Sequence, residues 1–214
     1  MTNGGETPMV RGAWRVGMLL VTLSLGLSGC TVVHNQTVEF VSAPRVEHQY
    51  RGAVALVLEE SFSAFEYRRE NFEQRIVYPL GGYLRRCAES IAERSFTRTE
   101  TFTSTGSAVT AEGIDAILRP RVARVDVRGR GFGWEKRHTL VALEWLMRDK
   151  SDQKTVWLAT IEGTAEGDIG SAFTIHRRDR QAMQDAVDDA CRKSAQALGQ
   201  SAEIAGFLQS VRGR

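Results

Sequence analysis

Three stretches between Ile114 and Glu162 place apolar side chains at alternate positions, and that period of two commits the middle of the chain to β-structure. In the first, Ile114–Val127, Ala116, Leu118 and Val122 share one phase while Val125 and Val127 take the other. A one-residue slip would turn every later side chain over, so a bulge is expected near Ala123–Arg124. Pro120 cannot donate to a ladder and requires an edge position or that same irregularity. The second stretch, Lys136–Met147, alternates through Val141, Leu143, Trp145 and Met147; the third, Thr155–Glu162, puts Trp157, Ala159 and Ile161 on one face. Joined by Arg128–Gly133 and Arg148–Lys154, the three make an antiparallel meander. Arg128–Gly133 reads RGRGFG, but a phosphate-binding loop leads from a strand into a helix N-terminus, and here a strand follows. A hairpin connection is the expectation.

Other segments flank the meander. Ala53–Leu58 (AVALVL) is a short continuous apolar run, consistent with a buried central strand. Glu59–Tyr67 is a connection containing Phe62 and Phe65. From Arg68 the period changes: Phe72, Ile76, Leu80, Leu84, Cys87 and Ile91 recur three or four residues apart and predict a helix, interrupted at Pro79 and Gly81-Gly82. Its second piece, Leu80–Arg94, is the firmer. Phe96–Phe102 (FTRTETF) alternates as a half-exposed strand, and Thr103–Gly113 is a polar loop. Gly163–Thr174 is read as a glycine-rich connection. Arg177–Leu198 is a closing helix with Met183, Val187, Ala190, Cys191 and Leu198 inward, Asp185, Asp188 and Asp189 outward, and Gly199 as its stop. The residues after it hold one more turn or fray. Strand, helix, strand, meander, helix describes an α+β two-layer sandwich, a mainly antiparallel sheet with two helices packed on one face.

The N-terminus supplies the address. Val16–Leu27 is almost wholly apolar, follows Arg11 and Arg15, and ends in small residues, the anatomy of a secretory signal peptide. Its apolar run of about a dozen residues falls short of the ~20 that span a bilayer. The polar residues before Arg11 make Met9, as well as Met1, a candidate start. Leu27-Ser28-Gly29-Cys30 resembles the bacterial lipobox. That resemblance implies a diacylglycerol on the Cys30 thiol, cleavage before Cys30 and an acyl chain on the new amino terminus. Each buried methylene contributes about 0.8 kcal/mol, and more than one chain makes attachment stable. Thr31 stands where an Asp marks inner-membrane retention in enterobacterial lipoproteins, which implies the outer membrane, with the domain facing the periplasm. The chain thus divides into a signal peptide (1–29), the lipidated cysteine with a tether (30–52) and one α+β domain (53–210).

Roughly 185 residues follow the signal, enough for one sizeable core. A formal charge of +2 with scattered arginines leaves no basic stripe for nucleic acid. Of three cysteines, Cys87 and Cys191 remain once Cys30 carries lipid. Both fall on the apolar side of a predicted helix, in a compartment that permits disulfides. A bridge between the helices and a pair of small buried hydrophobes both fit.

Chemistry-bearing motifs are scarce. His34, His48, His138 and His176 have no metal-ligand spacing and read as surface residues; no metal or cofactor is expected. Glu59-Glu60 reads as a solvated strand end rather than an acid–base pair. There is no nucleophile-elbow or S-x-x-K pattern, so the chain is read as non-catalytic. Trp145 and Trp157 suit cross-strand packing. Phe132 and Trp134, beside Arg130 and Lys136, offer either an anchor for a partner or membrane surface, or loop packing.

The stretch from Trp157 through Gly163 and Phe173 into the closing helix (WLATIEGTAEG…SAFTIHRRDRQAMQDAVDDA), behind a lipobox, resembles small envelope lipoproteins of the YajG type and the auxiliary lipoproteins of ABC-type transporters; the PelC-type lipoproteins of exopolysaccharide export share the layout. The resemblance implies a lipid-anchored accessory subunit of an envelope transport or assembly system, working through protein partners. A self-assembling ring for polymer or protein export, hence a homo-oligomer, and a carrier of lipid or another small hydrophobic ligand are the alternatives.

Overall fold

The computed structural model describes residues 32–40, 44–46, 48–71, 74–128, 136–168 and 175–213. Its elements, in chain order, are β1 (Val32–Asn35), β2 (Tyr50–Val57), α1 (Glu60–Ser63), β3 (Glu66–Asn71), β4 (Gln74–Pro79), α2 (Gly81–Ser95), β5 (Phe96–Phe102), α3 (Thr105–Thr110), β6 (Ala116–Arg128), β7 (Lys136–Asp149), β8 (Thr155–Asp168), α4 (Ile175–Gly199) and α5 (Ala202–Arg212). A five-stranded sheet runs β5-β2-β6-β7-β8 and a three-stranded sheet runs β1-β4-β3. The fold is α+β.

β2 lies inside the large sheet, parallel to both β5 and β6. Its apolar run is continuous because both faces are covered. Val54, Leu56 and Leu58 face the main core, while Ala53, Ala55 and Val57 meet Ile117 and α3 on the other side. The meander β6-β7-β8 is antiparallel throughout. Its register shifts between Val122 and Arg124, where the phase change predicts a bulge. Because of it, Val122, Val125 and Val127 all pack toward the main core. Pro120 pairs with Trp145 of β7, but β6 pairs with β2 only through Leu118, so Pro120 sits past the end of that second ladder.

α2 and α4 cover one face of the large sheet. α2 buries Tyr83, Leu84, Cys87, Ala88, Ile91 and Ala92, one face of a 3.6-residue period. α4 buries Ala182, Met183, Ala186, Val187, Ala190, Ala195 and Leu198. Its small side chains let it lie close on β8: a Cβ on Gly163 would stand 2.2 Å from the Ala186 carbonyl oxygen and 2.2 Å from the Ala190 nitrogen. At the layer's centre Trp145, fully buried, donates its indole N–H to Ser194 Oγ at 2.9 Å.

Several expectations need correction. Residues 68–71 and 74–79 are not the first piece of a helix; they lie in the antiparallel strands β3 and β4, in which Tyr67 pairs with Tyr78 and Arg69 with Ile76. Phe72 lies outside the described residues. Gly163–Asp168 continues β8 rather than forming a loop, Thr103–Gly113 contains α3, and the C-terminal residues form a three-turn helix capped by Ser201 Oγ. Within the segment expected to be a tether, residues 32–40 pack on the domain. β1 pairs with β4, Val38 is buried, and Phe40 meets the Tyr83 ring edge-on at 5.2 Å.

Candidate functional site

Leu27, Ser28, Gly29 and Cys30 lie outside the described residues, as do Phe132 and Trp134. Cys87 and Cys191 are joined by a disulfide, Cα to Cα 6.2 Å, linking α2 to α4 inside the core. One turn away, Tyr83 donates its hydroxyl to Asp188. Burial, followed by that hydrogen bond and the Asp188 charge, pushes the Tyr83 phenol well above its ordinary value. Gln184, on the same side of α4, reaches Asp188 at 3.1 Å and the main chain of Glu39. Disulfide, Tyr83, Asp188 and Gln184 thus form a seam between the two helices, and residues 36–40 cross it as a strap. Of its polar members only Asp188 stood out in sequence, as an outward residue of the closing helix; it is instead turned into the seam, where it accepts the Tyr83 hydroxyl and the Gln184 amide.

A second buried polar group closes the far end of the meander. Arg137 of β7 pairs with Asp179 near the start of α4, their side chains 14% and 7% exposed. The Tyr78 ring of β4 lies within their field; burial first, then the Asp179 charge, raises its phenol strongly. This pair ties β7, α4 and the three-stranded sheet together.

The face of the meander opposite α4 carries a cross-strand ladder of charge. Arg121 pairs with Glu144 at 2.6 Å, and Arg124 reaches over the small Ala142 to Glu162 on the next strand but one, 3.3 Å away. His138, 62% exposed, faces Glu166 at 3.5 Å. Leu146 and Leu158 oppose each other in the same face, Leu158 being 57% exposed. β8 forms the edge of this sheet, and α4 blunts its middle: the Thr164 N–H donates to Asp189 and Lys193 donates to the Glu162 carbonyl.

α5 buries only Ile204 and Leu208 and leaves a cleft on either side. One, about 500 Å³, lies between Tyr50, Arg51, Leu208 and Arg212; the other, about 600 Å³, lies between Val109, Ile114, Phe207 and Val211, with Lys150 and Lys154 at its rim. Glu59 and Glu60 are exposed where β2 ends and α1 begins. Among the described residues no group of three or more His, Cys, Asp or Glu is placed to hold a metal ion, and no helix is long and apolar enough to cross a membrane.

No family model matches the chain, and no curated protein matches it. Solved structures do. Protein XCC0632 from Xanthomonas campestris, of the family model DUF330, superposes with a TM-score of 0.51 at 12% identity over 85% of this chain and 99% of that one. That likeness establishes a shared fold. Weaker similarity extends to a minor lipoprotein from Acinetobacter baumannii (TM-score 0.42, 10% identity, 71% of this chain and 92% of that one). It extends also to a PelC dodecamer from Paraburkholderia phytofirmans (TM-score 0.35, 16% identity, 70% and 95%).

Proposed function

We propose that this chain is a lipid-anchored, non-catalytic accessory subunit of a cell-envelope transport or assembly system, held on the periplasmic face of the outer membrane by acyl chains on Cys30. The observation that carries the reading is an order of features: an apolar leader, Leu27-Ser28-Gly29-Cys30, then one residue later the first strand of a folded α+β domain. A signal peptide alone would deliver a free domain; the cysteine adds an anchor. The uncovered face of the meander, with its paired charges and Leu146–Leu158 step, supplies a surface for protein partners.

The test is the native mass and composition of the lipidated protein, extracted in mild detergent after brief crosslinking in cells. Transport or assembly subunits recovered in fixed ratio support the accessory role. A discrete homo-oligomer alone supports instead an export ring, and Phe132→Ala and Trp134→Ala then probe its interface. A bare monomer sinks both and turns attention to the cleft beside Phe207 as a carrier site.

A further inference from the structure

We propose that the first half of the β8 edge pairs with the same strand of a second copy of this chain, antiparallel about a two-fold axis at Ala159, with Leu158 opposite Thr160 of the second copy.

The backbone of β8 defines what can fill that edge. The Thr164 N–H donates to Asp189 and the Glu162 carbonyl accepts from Lys193, so the even-numbered residues turn their main-chain groups away from β7. Register with β7 is unbroken from Trp157 to Asp168, which puts the N–H and C=O of Leu158 and Thr160 in the same outward row. Among the described residues these groups have no partner.

α4 leaves this half bare. It lies on Gly163 through Ala186 and Ala190, reaches Trp145 of β7 through Ser194, and sets its Leu198 carbonyl on the Tyr50 hydroxyl of β2. The helix thus crosses the sheet away from Trp157–Ile161. On the inner side Trp157, Ala159 and Ile161 are only partly buried. On the outer side Leu158 is the most exposed large apolar residue among those described.

A row of open donors and acceptors is filled by another strand. Residue chemistry selects a copy of the same one. Thr155–Ile161 (TVWLATI) has no charge, proline or glycine and is rich in β-branched and aromatic residues, so self-pairing sets no like charges against each other. The other edge of the sheet, β5, instead carries the Arg98–Glu100 pair. With the axis at Ala159, Leu158 and Thr160 of each copy exchange all their open main-chain groups. The small Ala159 side chains meet at the close, non-hydrogen-bonded position, and Trp157 lies opposite Ile161 of the second copy. The carbonyl that Lys193 caps falls just beyond this stretch. Such pairing uses up the edge and closes at two copies. It is independent of the accessory role, which either a monomer or a dimer can serve.

The test uses the full-length protein in mild detergent with micelles in large excess. Native mass should be that of two chains, and Leu158→Lys or Thr160→Lys should weaken the dimer by about tenfold or more while leaving circular dichroism unchanged, because both side chains are exposed. Ala159→Cys should form a covalent dimer under mild oxidation where the wild type forms none, since the paired Cα atoms lie within disulfide range. A monomer at every concentration overturns the proposal, as does an oligomer indifferent to both lysines. A dimer that does not cross-link through Ala159→Cys overturns the register. A photo-crosslinker at Thr160 that traps a different protein in cells, with no dimer, overturns the choice of a second copy.

Discussion

Gln184 grips the main chain of Glu39 from both sides: its Oε1 accepts the Glu39 N–H at 3.0 Å and its Nε2 donates to the Glu39 carbonyl at 2.6 Å. A carboxamide bonded in this way acts as a short piece of β-ladder supplied by a helix, and it holds the strap across the α2–α4 seam. Net hydrogen-bond contributions of about 0.5–1.5 kcal/mol each set the scale. Gln184→Ala should speed hydrogen exchange at the Glu39 amide by roughly tenfold while leaving the global unfolding midpoint nearly unchanged. An unchanged exchange rate would show that Val38 and Phe40 hold the strap alone.

The Cys87–Cys191 bridge closes a loop of 104 residues of sequence separation. Chain entropy for a loop of that size predicts stabilisation of roughly 4–5 kcal/mol, and native disulfides typically deliver 2–5. Cys87→Ala with Cys191→Ala should lower the unfolding free energy by about 3 kcal/mol or more in guanidinium titrations. The same loss should follow in the native protein under reducing conditions, and no difference between reduced and oxidised protein would refute it.

Gly163 and Gly206 make opposite cases. At Gly163 a Cβ meets helix backbone at 2.2 Å, whereas at Gly206, inside α5, a Cβ meets nothing within 4 Å. Gly163→Ala should force α4 off β8 and cost roughly 2–3 kcal/mol. Gly206→Ala should stabilise by about 0.5–1 kcal/mol through helix propensity. Urea denaturation of the two variants side by side tests the contact, and similar small effects would falsify it.

Asp189 gives the domain an acid-sensitive clasp. Burial pushes its carboxyl up, but bonds from Lys193, the Thr164 N–H and Arg192 outweigh burial and hold it below the ordinary carboxylate range. The Lys193 ammonium lies 2.7 Å away and the Thr164 N–H 3.1 Å. A group whose pKa is lower folded than unfolded contributes its stability above the unfolded value, near 3.9, and loses it as pH falls through the folded value. Asp189→Asn should therefore cost about 1–2 kcal/mol at pH 7. That difference should shrink as the pH is taken below about 4, read from denaturation curves at pH 7, 4 and 3.

Where side-chain pattern and backbone state are coupled, the fold was legible. Phe96–Phe102 is a strand over the very residues that alternate, and the phase change after Val122 marks the bulge. Leu80–Arg94 differs from α2 by one residue at each end. The misreadings have a common cause. Ile76, Leu80 and Leu84 are four apart and imitate a helix face, yet Ile76, Tyr78 and Leu80 also alternate, and long-range pairing with β1 and β3 decides for the strand. Gly163 and Gly167 looked like loop residues because the helix positions that need their missing side chains, Ala186 and Ala182, lie more than ten residues further on. Residues 32–40 show no period because their partners are a β4 ladder and a glutamine amide, neither visible locally. For the site, the cysteine pair stood out as chemistry; Arg137 and Asp179, 42 residues apart, could be joined only by the fold.

The bulge in β6 also sets where this protein can tolerate insertion and deletion. Upstream of Ala123 the inward parity is even-numbered, downstream it is odd, and β7 matches both halves through Leu143, Val141 and Thr139. Drawing Ala123 into a regular ladder would swing Asp126 and Arg128 into the layer now filled by Val125 and Val127, whereas deleting Ala123 would leave both valines inward. The bulge is therefore the place in β6 where the strand can lose one residue and still keep its inward side chains inward.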